Sequence, residues 1–187
     1  MTDVGIILLA AGSSSRMGHP KQLLDFQGKK LIQIVTERLL ACRCFPTVVV
    51  LGANAAEIAP HLEMYHDLSL IQNLNWQTGM ASSIHCGIEF LESMFPTVSH
   101  AMIALVDQPY VEVEHYYRLV EAADAHPDKV IAAHYDGHAG APMVFPARYF
   151  TMLSRLRGDE GARAVVRGLP KAVIKVAVPR GGGLGRW

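Results

Sequence analysis

The chain has 187 residues, half of them hydrophobic and 18% charged, which suits one domain with its own core and excludes a disordered composition. Seventeen basic residues offset seventeen acidic ones, so no global field is present to attract nucleic acid or an anionic membrane. Cys42, Cys44 and Cys86 are too few for a disulfide framework, and the single residue between the first two is not a zinc-knuckle spacing; all three read as ordinary thiols.

Val4–Ala11 is apolar but too short to span a bilayer, and no basic segment precedes it. It reads as a strand over Val4–Leu9 covered on both faces, with the cytoplasm as the default location. A small-residue loop follows, Ala10 to Lys21, and then a helix over Lys30–Ala41 with Leu31, Ile34, Val35 and Leu39 at helical spacing. Thr47–Leu51 is a second strand, Ala55–Leu62 a short helix, Leu68–Ile71 a third strand and Ser82–Met94 a helix. Ala101–Val106 is again a buried strand, succeeded by a helix over Glu114–Ala125 and a strand at Val130–Ala133.

Beyond that point the alternation breaks. Asp136–Gly140 reads as a turn, with Pro142–Phe145 the returning extended piece. Helices at Ala147–Leu156 and Gly161–Arg167 and a strand at Ala172–Val178 complete the chain, and residues 179–187 read as a disordered tail. The β-α alternation predicts a single α/β domain over residues 1–178, with a mostly parallel sheet between two helical layers.

In such sheets ligands bind beyond the carboxyl ends of the strands, and three loops there carry unusual residues. The first holds Gly12, Ser13, Ser14, Ser15, Arg16, Gly18 and Lys21: small residues let backbone N–H groups approach an anion, and two cations supply charge. Its spacing fits neither a Walker A loop nor a dinucleotide fingerprint, and composition alone also allows a flexible connection with solvated cations. The second, Asp107-Gln108-Pro109, sets a carboxylate at a strand end, where it either holds Mg²⁺ against substrate phosphates or caps the following turn. The third, Asn73 to Ser83, is rich in amides and hydroxyls that read a base or ribose, although Ser82 or Ser83 could instead cap the helix.

Taken in order, these loops resemble one family. Leu9-Ala10-Ala11-Gly12-Ser13-Ser14-Ser15-Arg16-Met17-Gly18-His19-Pro20-Lys21-Gln22-Leu23-Leu24 resembles the opening motif of the MobA-like nucleotidyltransferases. Asn75-Trp76, Gly79-Met80-Ala81-Ser82-Ser83-Ile84, Asp107-Gln108-Pro109, Gly140-Ala141-Pro142 and Gly158-Asp159-Glu160-Gly161-Ala162-Arg163 resemble the molybdenum-cofactor cytidylyltransferase branch.

The resemblance implies a three-layer Rossmann-like nucleotidyltransferase fold. It also implies transfer of a nucleoside monophosphate from a triphosphate to a phosphorylated acceptor, with release of pyrophosphate. Ala11, where members that use GTP have glycine, points to CTP; the acceptor of that branch is molybdopterin bearing molybdenum, and a molybdoenzyme is a further partner. The amides of Gly12 to Ser15 would cradle the phosphates, Leu9, Ala10 and Ala11 would also bind the nucleotide, Arg16 and Lys21 would neutralise the phosphates, and Asp107 would hold Mg²⁺. Asn75, Gly79, Met80, Ser82 and Ser83 would line the nucleoside.

Several residues are not promoted. The nine histidines are scattered, and the one plausible cluster, His134 and His138 around Asp136, reads as a solvated turn. His19 could touch ligand, Trp76 reads as packing or as a base stack, and Arg163 could reach an acceptor phosphate. Branch members carry an acidic segment near the C-terminus that supplies a second carboxylate for the metal, whereas here no acidic residue follows Glu160. Two rival expectations follow: a nucleotide-binding accessory protein without turnover, and a transferase acting on a sugar or alcohol phosphate.

Overall fold

A computed structural model of the chain describes residues 2–14, 18–42, 44–135 and 137–178. The expected positions Ser15 and Arg16, the Asp136 turn residue and the 179–187 tail lie outside the described residues. The chain opens with β1 (Val4–Ala10), every residue of which is buried, as a continuous apolar run requires when helices cover both faces. A hairpin of β2 (Asp25–Phe26) and β3 (Lys29–Lys30) precedes α1 (Leu31–Ala41). The chain then runs through β4 (Thr47–Leu51), α2 (Ala55–Ile58), β5 (Leu68–Gln72), α3 (Met80–Met94), β6 (His100–Leu105) and α4 (Val113–Ala125). It closes with β7 (Val130–Tyr135), β8 (His138–Pro146), α5 (Phe150–Ser154), α6 (Arg163–Gly168) and β9 (Val173–Ala177).

Seven strands form one sheet in the order β5-β4-β1-β6-β8-β7-β9. Every pairing is parallel except those of β8, which runs antiparallel to β6 and to β7. Alternate residues of β1 serve the two faces. Ile6, Leu8 and Ala10 meet α1, α2 and α4 through Ile32, Val35, Leu39, Ile58, Tyr116 and Leu119. Ile7 and Leu9 meet α3, α5 and α6 through Ile84, Ile88, Leu91, Leu153 and Val165. Each fully buried Leu or Ile of this kind is worth about 1.5–3 kcal/mol, so the three layers are held mainly by these two clusters.

The differences from the sequence reading have local causes. The β2–β3 hairpin was not anticipated: Gln27 and Gly28 form its two-residue turn with φ of 52° and 82°, and glutamine is an unusual occupant of that region. The helix expected over Ala55–Leu62 winds as α only to Ile58, and Pro60 lies in the 3₁₀ turn over Ala59–His61 that follows. The extended piece expected at Pro142–Phe145 is the nine-residue β8, whose pairing with β7 shifts register between Ala132 and Ala133.

Candidate functional site

Three connections leave the carboxyl ends of β1, β5 and β6 side by side, because β1 lies between β4 and β6 and β5 flanks β4. Together they enclose a cavity of about 340 Å³. One wall is the backbone of Leu9, Ala10, Ala11, Gly12 and Ser13, another the stretch Val106–Asp107, and the third Trp76, Gln77, Gly79, Met80 and Ser83.

Buried amides hold these walls in place. Gln22 is fully buried, and its Nε2 donates to the carbonyls of Ala10 at 2.8 Å and Gly12 at 2.9 Å. Ser14 takes a left-handed φ of 53°, and its Oγ accepts from the Lys21 backbone N–H at 3.0 Å, cinching the loop across its described ends. The Ala53 N–H donates to the Ala11 carbonyl at 3.1 Å, tying this loop to the one after β4.

Opposite, Asn73 is buried and its Nδ2 donates to Ser82 Oγ at 2.8 Å and Ser83 Oγ at 3.0 Å. Its Oδ1 accepts from the Asn75 N–H at 2.9 Å, so one amide orients the whole turn that enters α3. Both Gln22 and Asn73 stood inside the quoted loops without an assigned role. A buried amide among small residues is the signal that could have found them, since it must satisfy backbone groups.

Electrostatically the cavity is organised around one pair. Lys21 Nζ lies 2.8 Å from Asp107 Oδ2, with 28% and 30% of their side chains exposed. The pair brings together residues 86 positions apart and sets a cation beside the backbone wall. A cation, a carboxylate and a lining of small residues suit an anion accompanied by a divalent ion.

Of the expected nucleoside-lining residues, Gly79, Met80 and Ser83 border the cavity; Asn75 and Ser82 are not among its lining residues, and the Ser82 hydroxyl is spent within the turn. Ser14 likewise works within its loop. Trp76, Gln77, Gln22 and Asp159 border the cavity as well.

A second cavity of about 320 Å³ adjoins the first, and Leu9, Met80 and Leu105 border both. Its remaining lining includes Ile103, Met143 and Ala139 with Gln108, Tyr135, His138 and Arg163 at intervals. Tyr135 donates to the Ala141 carbonyl at 2.8 Å, and Gln108 Nε2 donates to the same oxygen at 2.7 Å. Burial pushes the Tyr135 phenol up to about 12, so it is a neutral donor at ordinary pH. The Gly140-Ala141-Pro142 and Asp107-Gln108-Pro109 motifs therefore meet at this second cavity.

The thiols stand apart from both cavities. Cys42 and Cys44 sit near the opposite edge of the sheet, where burial raises them to about 12 and about 11. Among the described residues no group of three or more His, Cys, Asp or Glu side chains could hold a metal, and no helix is long and apolar enough to cross a membrane.

Known proteins resemble the chain over most of its length. The chain is 34% identical over 175 residues to the nicotine blue oxidoreductase of Paenarthrobacter nicotinovorans, covering 88% of this chain and 81% of that one. It is 28% identical to the purine catabolism protein PucB of Bacillus subtilis (strain 168), covering 86% and 79%. The crystal structure of Rv0371c from Mycobacterium tuberculosis H37Rv superposes with a TM-score of 0.82 at 23% identity, over 98% of this chain and 91% of that one. A complex of Rv0371c with manganese superposes at 0.77, with 22% identity over 95% and 89%. Residues 6–173 match the model of the MobA-like NTP transferase domain. The chain belongs to that family.

Proposed function

We propose that the protein transfers a nucleoside monophosphate, CMP from CTP, to a phosphorylated acceptor of the molybdopterin type and releases pyrophosphate. The observation that carries this reading is the Lys21–Asp107 pair at 2.8 Å, set beside a backbone-walled cavity that adjoins a second one. Two joined cavities suit two substrates that must meet, and Leu9, Met80 and Leu105 form the boundary where they would. In this reading the triphosphate lies along Leu9–Ser13, and Lys21 and Arg16 neutralise it. The nucleoside faces Gly79, Met80 and Ser83, and the acceptor fills the second cavity.

The acceptor phosphate is already ionised at neutral pH, so a strong general base is not needed. One of its oxygens forms a bond to the α-phosphorus. The bond from that phosphorus to the oxygen bridging to the β-phosphate breaks, and pyrophosphate leaves with the electron pair. The barrier is electrostatic, and the chain's part is to hold two anions together and offset charge on the leaving group.

A divalent ion fits the residues present: Asp107 supplies one carboxylate, and Mg²⁺ needs one or two besides phosphate oxygens and water. When bound it would act as a Lewis acid on the phosphates. The manganese complex of Rv0371c supports a divalent ion at this kind of fold.

The test is release of pyrophosphate with molybdenum cofactor as acceptor and CTP, GTP and ATP side by side, with and without a chelator. Lys21→Ala and Asp107→Ala are expected to lower turnover about a hundredfold or more. Turnover near that of the unaltered protein in either variant would remove the assignment.

A redox reaction is the second reading, favoured by the name of the 34% identical relative. Loss of nicotine blue absorbance with an added chemical reductant, without pyrophosphate release, would select it.

A further inference from the structure

The Gly158–Arg163 segment lies between the two cavities: Asp159 borders the first, and Gly161, Ala162 and Arg163 border the second. The entrance to α3 is shaped to receive it. Ala81 N–H donates to the Gly158 carbonyl at 3.0 Å. Gly79 has a φ of 106°, and a Cβ there would stand 2.2 Å from that same carbonyl oxygen. A Cβ on Gly161 would likewise meet Met80 Sδ at 2.9 Å. Gly79 is thus required for the segment to dock, whereas a Cβ on Gly161 would displace only the flexible end of Met80, and docking is what brings Asp159 to the cavity.

A carboxylate beside a triphosphate is repelled unless a divalent ion bridges the two, and Asp107 already serves that ion in the proposed function. What it can accept from in that cavity is a neutral donor: a ribose hydroxyl or an exocyclic amine. Its attachment at Gly79 and Ala81 sets it at the α3 entrance, beside Met80 and Ser83, whereas the Lys21–Asp107 pair belongs to the ends of β1 and β6.

We infer that Asp159 is a specificity-determining residue that accepts hydrogen bonds from the nucleoside of the bound nucleotide, and that Gly79 is required because the Asp159 segment docks there. The inference rests on the nucleotide reading of the first cavity. Its chemistry is that of an acidic side chain reading an amine edge or a ribose hydroxyl.

The experiment is equilibrium binding to the full chain, without acceptor, of CTP, dCTP, UTP and tripolyphosphate, each with Mn²⁺. The unaltered protein is compared with Asp159→Ala, and thermal melts verify that the variant is folded. Loss of a charge-assisted hydrogen bond should weaken CTP binding about tenfold or more. Binding of tripolyphosphate, which has no nucleoside, should stay unchanged.

The analogues identify the donor. If the base amine is read, native discrimination between CTP and UTP shrinks in the variant; if the ribose is read, discrimination between CTP and dCTP shrinks. Equal weakening of CTP and tripolyphosphate would make Asp159 a metal ligand and overturn the inference. Unchanged CTP binding, or an Asp159→Ala chain that fails to fold while Asp159→Asn folds and binds CTP normally, would overturn it too. Failure of the unaltered protein to bind any of the triphosphates would remove the nucleotide reading itself, and the inference with it.

Discussion

Lys21 and Asp107 neutralise one another across 2.8 Å while less than a third of either side chain is exposed. A divalent ion arriving alone at Asp107 must compete with the ammonium group already there. Lys21→Met is therefore expected to bind Mn²⁺ several-fold more tightly in the absence of nucleotide, yet to bind the Mn²⁺ complex of CTP more weakly, because a phosphate partner is lost. Titration followed by Mn²⁺ paramagnetic resonance separates the two effects. Unchanged affinity for free Mn²⁺ would mean that Asp107 is not the ligand. Which loops would border a cavity was legible in the sequence at this scale, from small residues beside Lys21 and a carboxylate after an apolar strand, although the same patterns also allowed a flexible connection and a turn cap. The work of individual side chains was not. Ser14 and Ser82 have the same composition as phosphate or sugar ligands, but their hydroxyls are spent on their own turns. Asp159 is 52 positions beyond Asp107 in sequence and reaches the cavity only through the docking of its segment on Gly79.

Among the elements, α3 shows how closely a helix can be pressed on the sheet. Gly87 lies mid-helix, where alanine would ordinarily favour the helix by about 1 kcal/mol. A Cβ there, however, would stand 2.6 Å from Ile7 Cγ2 in a fully buried part of β1. Overpacking of that kind costs about 1–3 kcal/mol and outweighs the propensity gain. Gly87→Ala is expected to destabilise the protein by up to about 2 kcal/mol, read as a lower denaturant midpoint at unchanged slope. A midpoint equal to or above that of the unaltered protein would show that the helix can lift from β1. Apolar runs and helical spacing located α1, α3, α4 and every strand of the main sheet except β8 to within a residue or two. Shorter pieces, the β2–β3 hairpin and the 3₁₀ turns, carry too few residues to set up a period and escaped notice.

For the molecule as a whole, stability between neutral and mildly acid pH has a contribution from His100, buried at the start of β6. Its Nε2 lies 3.0 Å from the Pro127 carbonyl and its Nδ1 2.9 Å from Ser99 Oγ, so a neutral ring donating to Pro127 and accepting from Ser99 satisfies both nitrogens. Burial lowers its pKa below the ordinary histidine value, and the Pro127 hydrogen bond with Asp124 and Asp128 only partly offsets that. The unfolded chain therefore takes up this proton before the folded one does. Stability should be full above about pH 6.5, should fall as the pH drops below it, and should level off beneath the lowered folded value. Thermal melts between about pH 7.5 and 5.5 test this, and His100→Gln should flatten the slope across that window. An equally steep slope in the variant would assign the acid sensitivity elsewhere.

The sequence by itself determined the α/β class, the mostly parallel sheet, the loops at its carboxyl edge and the family, because periodicity and loop composition are local properties written in consecutive residues. Strand order was decided only by the tertiary structure, with β8 inserted antiparallel between β6 and β7, since pairing partners depend on packing between distant segments. The Lys21–Asp107 pair, the second cavity formed where Gln108 meets Ala141, and the arrival of Asp159 beside Gly79 were decided in the same way. Each joins residues far apart in the chain, and a one-dimensional pattern holds no record of which segments fold onto one another.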